Sequence, residues 1–558
     1  MTVEFNEEKQ NKRLTDLKTK EEEALAKLLS EKYGLAYLDL SLVPINIDAL
    51  RIIHEKEARK AEIAAFNIID KRVDVGIISP NNESTNEVLD NLRRAGFEPN
   101  VFMVSHASLQ KVFERYKDLS YSSETKGGAL DISNEDISEI LKNVRGLSDI
   151  KKEIEIILNA KKSYRISKIL EIILAGAVAT QASDIHIEPE EDDVRLRYRL
   201  DGVLTEILRF DRDTFKLLLS RIKLISNLKL NIGGAQDGRF SIKIESGDVE
   251  VRTSLLPGAY SESVVLRILN PEATSVNLDG RGIHPALLEI FKDEIRKPNG
   301  MILVTGPTGS GKTTTLYAFL KEIYSPEIKI ITIENPVEYH LPGIVQTQTD
   351  PDKDYTFANG LRSALRQDPD VIMVGEIRDS ETAEVAVNAA LTGHLVLSTL
   401  HTNNAAGSFP RLIDLGVNSK VLTSALNISI AQRLVRVLCE KCKKEIPVSA
   451  EDKIIIDETL GSITNKTYIE GHESYTLFEP VGCPLCNNSG FVGRTGIFEA
   501  IRATKEIEEV VNRNPSEREI EEAAKSQNIL TMKQDGILKV LRGITSLSEL
   551  RRVIDVAE

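Results

Sequence analysis

Apolar and polar positions change period along the chain, and the changes mark its parts. In the second half, fully apolar runs at 301–305, 330–333, 371–374 and 395–399 alternate with helical patterns. Such runs, too apolar to alternate, predict parallel strands covered on both faces by helices. Each run ends in polar residues: a glycine-rich loop after the first, then Glu334, Gly375-Glu376 and His401. In open α/β sheets ligands bind beyond the carboxyl ends of the strands, so these groups are expected to share one site.

Residues 164–270 alternate instead with period two. Val194, Leu196, Tyr198 and Leu200 take one face of a strand, and Arg195, Arg197 and Arg199 the other. Asp201-Gly202 then predicts a tight turn. The arginine row has two readings: a solvated sheet face, or a guanidinium array offered to phosphate. A helix is predicted over 166–180. Nearer the amino terminus, Leu25, Leu28 and Leu29 suggest an amphipathic helix from Ala24. Residues 72–78 read as a strand, and Ser105 caps a helix carrying Leu109, Val112, Phe113 and Tyr116. His54 and His106 are isolated and read as surface residues. Near the end, Ser546 and Glu549 form the pattern of a capping box before Leu550, Val553 and Ile554. The expected layout is a small α/β domain over 1–120, a linker over 121–150, an α+β domain over 151–276, a connector over 277–284, the parallel-sheet domain over 285–503 and a helical region over 504–558.

The loop after the first apolar run is Gly306, Pro307, Thr308, Gly309, Ser310, Gly311, Lys312, Thr313 and Thr314. It fits G-x-x-x-x-G-K-[ST] between a strand and a helix, the context the motif requires. Its glycines let backbone N–H groups turn around a polyphosphate, and the helix N-terminus adds its dipole. Lys312 is expected on the β- and γ-phosphates and the Thr313 hydroxyl on Mg²⁺. Glu376 stands where a Mg²⁺-organising acid belongs, and Glu334 where a carboxylate can polarise the attacking water. His394 and His401 bracket one strand. Seven residues apart, they face the same pocket only if a strand end bends. His401 reads as a γ-phosphate sensor, and His394 either as a partner in that task or as a hydrogen-bonded core residue.

Composition narrows the class. The 558 residues carry 71 basic and 85 acidic side chains, a net charge of −14. That balance disfavours non-specific nucleic-acid binding, which needs basic surface. No apolar run is long enough to span a bilayer, and the charged start 1–13 lacks a signal-peptide core, so a cytoplasmic protein is expected. The four cysteines, Cys439, Cys442, Cys483 and Cys486, form two C-x-x-C pairs separated by 40 residues. Two such pairs predict a structural Zn²⁺ site in a small inserted lobe at 436–497.

These motifs together resemble the secretion-system ATPases that drive type II secretion and type IV pilus assembly. The resemblance is carried by GPTGSGKTTTLYA at 306–318, ITIENPVEY at 331–339, LRQDPDVIMVGEIRDSETA at 365–383 and TGHLVLSTLHTNNAAGSFPRL at 392–412. SDIHIEP at 183–189, RYRLDGVL at 197–204, QDGR at 236–239 and TMKQDGILKVLRGIT at 531–545 add to it. It implies a RecA-like P-loop motor domain behind a PAS-like α+β domain, assembled as a homohexamer that hydrolyses ATP. It further implies Glu334 as catalytic base, Glu376 as an atypical Walker B acid, His394 and His401 as a histidine pair, and Arg197, Arg199 and Arg239 as the nearest matches to arginines brought to ATP in the assembly. Expected partners are an inner-membrane platform protein and, indirectly, pilin or pseudopilin subunits, with the ATPase held peripherally at the inner membrane. Type II secretion and pilus assembly stay equally open. A nucleic-acid translocase is disfavoured by the acidic balance, a retraction ATPase by the cysteine lobe, and an inert scaffold by the intact site. Asn335, Ala235 and Ser261 depart from common family residues without removing a catalytic group. The pattern of relatives that bind cyclic di-GMP is missing from the amino-terminal domain.

Overall fold

The structure, a computed structural model, describes residues 21–556 except 41–42, 44, 51, 54, 70, 95, 119–123, 126–128, 131–139, 141–145, 159–164, 231–232, 245–246, 270–276, 470–475 and 514. Residues 1–20, most of the expected linker and His54 therefore lie outside the described residues. The chain divides into two compact units, residues 1–123 with 156–170, and 124–155 with 171–558.

The first unit holds a four-stranded sheet of β1 (Ala36–Tyr37), β2 (Ile63–Ile69), β3 (Arg72–Ile77) and β4 (Glu98–Met103), in the order β1-β4-β3-β2. The helix His106–Glu114 starts as expected, because the Ser105 hydroxyl accepts from Ser108 N at 2.9 Å. Its Leu109, Val112 and Phe113, with Tyr116 beyond it, are buried. The first helix differs from expectation. Leu25 and Leu28 are exposed, and Ala26 and Ser30 are buried in their place. Leu29 is half-buried against the core, so the packed face keeps only that one of the three leucines read from the sequence.

The second unit contains two sheets. The first is wholly antiparallel: β5 (Asp184–Pro189), β6 (Val194–Leu200), β7 (Val203–Phe210), β8 (Gln236–Ile244), β9 (Gly247–Pro257) and β10 (Glu262–Leu269), in the order β8-β9-β10-β5-β6-β7. The alternation of β6 is real: Val194, Leu196 and Tyr198 are fully buried, and the Tyr198 hydroxyl donates to Ile173 O in the helix Arg165–Ala179. Asp201 and Gly202 both have positive φ, as the tight turn needs.

The second sheet has seven strands: β11 (Gly300–Thr305), β12 (Ile330–Glu334), β13 (Val345–Gln348), β14 (Val371–Val374), β15 (Leu395–Leu400), β16 (Leu426–Leu438) and β17 (Phe491–Arg502). Their order is β13-β12-β14-β15-β11-β16-β17. All neighbours are parallel except β16 and β17. Every residue of β11, β12, β14 and β15 is buried, which is why those strands carry no polar alternation. One helical layer packs Phe291, Leu316 and Phe319 on one face of the sheet, and another packs Ala386, Phe409 and Leu422 on the other.

The C-terminal capping pattern is half right. Ser546 accepts from Glu549 N at 3.1 Å, but the Glu549 carboxylate does not return to Ser546. It accepts instead from Arg436 N, Nε and Nη2 and from Arg552. Charge-assisted bonds outcompete one backbone N–H. A full capping box forms earlier, between Thr531 and Gln534.

Candidate functional site

The site starts where β11 stops. Buried Thr305 anchors its end, exchanging hydrogen bonds with Thr402 of the loop after β15. The chain then turns through Gly306, Gly309 and Gly311, all at positive φ, into the helix Lys312–Ile323. A Cβ on Gly306 would lie 2.5 Å from Gln432 O and 2.7 Å from Ser310 Oγ, so only glycine closes this turn. Ser310 is buried and its hydroxyl has no partner. A loop of backbone N–H groups at a helix N-terminus with a buried hydroxyl to spare suits a phosphate chain. The Lys312 ammonium lies over it, donating to Gly306 O at 2.8 Å and Pro307 O at 3.1 Å. Burial pushes Lys312 down to about 8, with Glu376 opposing and Arg433 adding to the shift. Pro307, Thr308 and Thr314 complete the loop and first turn, and Thr313 follows Lys312 on that turn, where a hydroxyl can ligate Mg²⁺ beside a phosphate.

Glu376 follows β14, two strands from the loop. Its Oε2 meets Arg378 Nε at 2.6 Å and His401 Nε2 at 3.2 Å. His401 thus joins the site from the carboxyl end of β15. His394 does not. It sits at the amino end of the same strand, with Nδ1 3.1 Å from Ala389 O. At about 3.3 Å per residue a straight strand holds the two histidines roughly 20 Å apart. Within the chain the two expected partners thus stand at opposite ends of β15, and only His401 meets Glu376.

Glu334 ends β12, buried to 2 % exposure. Its carboxylate accepts from Thr332 Oγ1 at 2.6 Å, from Gln346 Nε2 at 3.2 Å and from the Tyr317 hydroxyl of the phosphate-loop helix. Three donors leave one of about four lone-pair directions open. Burial, then Glu334, pushes the Tyr317 phenol well above its usual range, so it stays a donor.

The arginine row is paired in this chain. Arg197 Nη2 lies 2.6 Å from Glu188, Arg195 Nη2 lies 3.0 Å from Glu190, and Arg199 Nε lies 3.4 Å from Asp184. Strand register reveals a second row that the sequence hides. Arg239, Arg252, Arg267, Asp184 and Arg199 stand opposite one another across β8, β9, β10, β5 and β6. Arg252 Nη2 donates to Val337 O at 2.5 Å, in the loop that follows Glu334. Burial pushes the neighbouring Glu338 carboxyl up, and Arg252 and Arg267 draw it back.

Gln432 and Arg433, on β16, were not singled out in the sequence. Gln432 is buried, accepts from Thr315 Oγ1 at 2.7 Å and packs against Gly306 and Gly311. Arg433 stands beside Gly306. Their signal was the 13-residue strand 426–438, whose polar residues interrupt its apolar run.

The cysteines come together at a distance from this cluster in sequence but in one knot. Their sulfurs lie within 4.8 Å of one another, with Cys439–Cys483 and Cys442–Cys486 at 3.8 Å and Cys483–Cys486 at 3.7 Å. A tetrahedral ion with Zn–S near 2.3 Å requires sulfurs about 3.8 Å apart, so the set fits zinc. Gly482 N donates to Cys442 Sγ, and Cys483 N and Gly490 N to Cys486 Sγ, bonds that favour thiolates. Among the described residues no helix is long and apolar enough to cross a membrane.

Comparison with known proteins agrees with this chemistry. The chain is 44% identical over 400 residues to a type II secretion system protein E of Aeromonas hydrophila, covering 72% of this chain and 77% of that one. It is 35% identical over 532 residues to the type IV pilus assembly ATPase PilB of Myxococcus xanthus, covering 95% and 91%. The X-ray structure of the Yersinia pseudotuberculosis ATPase DotB shares the fold, with a TM-score of 0.51 at 19% identity over 69% of this chain and 92% of that one. Residues 159–552 match the family described as type II/IV secretion system protein, and the chain belongs to that family.

Proposed function

We propose that this chain hydrolyses ATP as a homohexameric motor that powers type II secretion or type IV pilus assembly at the inner membrane. One observation carries the reading. The glycine loop with Lys312, the Glu376–His401–Arg378 cluster and Glu334 all end parallel strands of one sheet. Gly306 to Thr314 cradle the phosphates, and Lys312 exchanges its loop carbonyls for phosphate oxygens. Thr313 and Glu376 would hold Mg²⁺, which would supply charge neutralisation at the phosphates. Glu334 has one open lone-pair direction for a water, and its three donors fix the carboxylate's aim. His401 senses the terminal phosphate beside Glu376.

Further parts of the reading rest on the same layout. We read the antiparallel domain as PAS-like and the parallel-sheet domain as RecA-like. The arginines of the former, Arg199 and Arg239 foremost, serve an ATP site within the assembly. A Zn²⁺ ion on Cys439, Cys442, Cys483 and Cys486 ties the inserted lobe together. The motor would work in the cytoplasm on an inner-membrane platform protein; the relatives' names support a role in secretion or pilus assembly.

The test is steady-state ATP turnover with separate nucleotide-binding measurements. Glu376→Gln is expected to lower turnover by at least ~10²-fold while nucleotide still binds, because the acid supports the transition state more than the ground state. Near-normal turnover in both Glu376→Gln and Glu334→Gln would overturn the site.

A further inference from the structure

β16 runs beside β11 and passes the phosphate loop at Gln432 and Arg433 before continuing to Leu438. A Cβ on Gly306 would lie 3.3 Å from Arg433 Nη1, so the guanidinium borders the loop's first turn. Nη2 donates to Asn403 O at 3.1 Å, in the loop that begins at His401. Nη1 is sealed from solvent and has no hydrogen-bond partner. Among the described residues no carboxylate pairs with this guanidinium. Glu499 favours its charge from a distance without pairing with it, and is engaged by Ala405 N at 2.8 Å and Met532 N at 3.0 Å.

Two cations, Lys312 and Arg433, therefore face the same glycine loop, and Arg433 disfavours the charge of Lys312. Burial weighs most against both charges; Glu376 offsets part of it at Lys312 and Glu499 part of it at Arg433. A buried guanidinium N–H left unpaired is costly, and an anion is the group that repays it. Arginine in place of lysine also fits the chemistry, since a planar fork can hold Asn403 O with one nitrogen and an oxyanion with the other.

We propose that Arg433 is a nucleotide-binding residue of the same chain, whose Nη1 donates to a phosphate oxygen of the bound nucleoside di- or triphosphate. This rests on the ATPase reading above and adds to it. The site then holds an arginine supplied by the motor domain's own β16, independent of any arginine supplied by the antiparallel domain. Because Nη2 stays on Asn403 O, phosphate binding at Nη1 also fixes the loop that begins at His401.

The experiment compares MgADP and MgATP binding to the full-length wild type, Arg433→Gln and Arg433→Lys by calorimetry, with melting temperatures recorded without and with nucleotide. Arg433→Gln is expected to weaken both nucleotides by about 10-fold or more, the scale of one lost charge-assisted hydrogen bond. Its nucleotide-free melting temperature should match wild type, whereas its nucleotide-induced rise should shrink. Arg433→Lys, with the charge but not the fork, should fall between. Should Arg433→Gln fail to fold, Arg433→Lys carries the test through its reduced affinity. Wild-type affinity in whichever variant folds overturns the proposal, and so does lowered nucleotide-free stability with unchanged affinity. A wild type that binds neither nucleotide would sink the ATPase reading instead.

Discussion

The roles of single residues separate most sharply at the histidines. His401 touches Glu376, and His394 touches only the backbone at the far end of β15. His401→Ala is therefore expected to cost at least ~10-fold in ATP turnover, and His394→Ala no more than about 3-fold, with any loss appearing as lowered stability. Equal loss in both, at equal melting temperature, would return His394 to the site. A related contrast holds at Tyr317. Tyr317→Phe removes one of three donors to Glu334 and leaves its acceptor directions freer, so turnover should change while nucleotide affinity stays within about 2-fold. Unchanged turnover would show that the tyrosine only fills space.

At the scale of elements, two clamps hold the C-terminal part. The first is the cysteine knot. One Zn²⁺ per chain is expected by elemental analysis, roughly as the four-thiolate geometry dictates. Cys483→Ser, or prolonged chelation, should lower the melting temperature before it alters nucleotide affinity. Metal-free protein of unchanged stability would remove the zinc assignment. The second clamp is Glu549, whose fully buried carboxylate joins the helix Leu547–Val553 to Arg436 of β16. Burial pushes this carboxyl up, but bonds from Arg552 and Arg436 prevail and hold it down at about 2. A carboxyl lowered in the folded state stabilises above its unfolded pKa, near 4.3, and loses that contribution as pH falls toward 2. Breaking such a pair costs about 3 kcal/mol. Glu549→Gln should thus melt well below wild type at neutral pH, and the gap should close on acidification from about pH 5 to pH 2.5. A gap independent of pH would mean that Glu549 acts by shape alone.

For the whole molecule, the question is what the arginines of the antiparallel domain serve. Within one chain, Arg195, Arg197 and Arg199 are paired with acids of β5 and its following turn. Arg239 stands at the end of the transverse row, next to Arg252. If these charges complete the nucleotide site in a hexamer, activity per chain should rise with concentration through the assembly range. Arg199→Ala with Arg239→Ala should then lower turnover by at least ~10²-fold, within the range an arginine finger supplies. Flat specific activity together with wild-type turnover in the double variant would leave the row as a solvated, salt-bridged face.

Much of this protein is written locally in its sequence. Strands buried on both faces announce themselves as apolar runs, and the glycine loop, the acid after β14 and the paired C-x-x-C motifs need only spacing to be read. The Ser105 cap and the Asp201-Gly202 turn are local for the same reason: each is settled by groups a few residues apart. What the sequence left open depends on contacts between distant residues. His394 and His401 could be separated only once their contacts were seen, Ala389 O at one end of β15 and Glu376 at the other. The transverse arginine row exists only through strand register, and Glu549 leaves its capping box only because Arg436 arrives from 113 residues away. Arg433 belongs to the phosphate loop because β16 lies beside β11, a neighbour relation that no local pattern encodes.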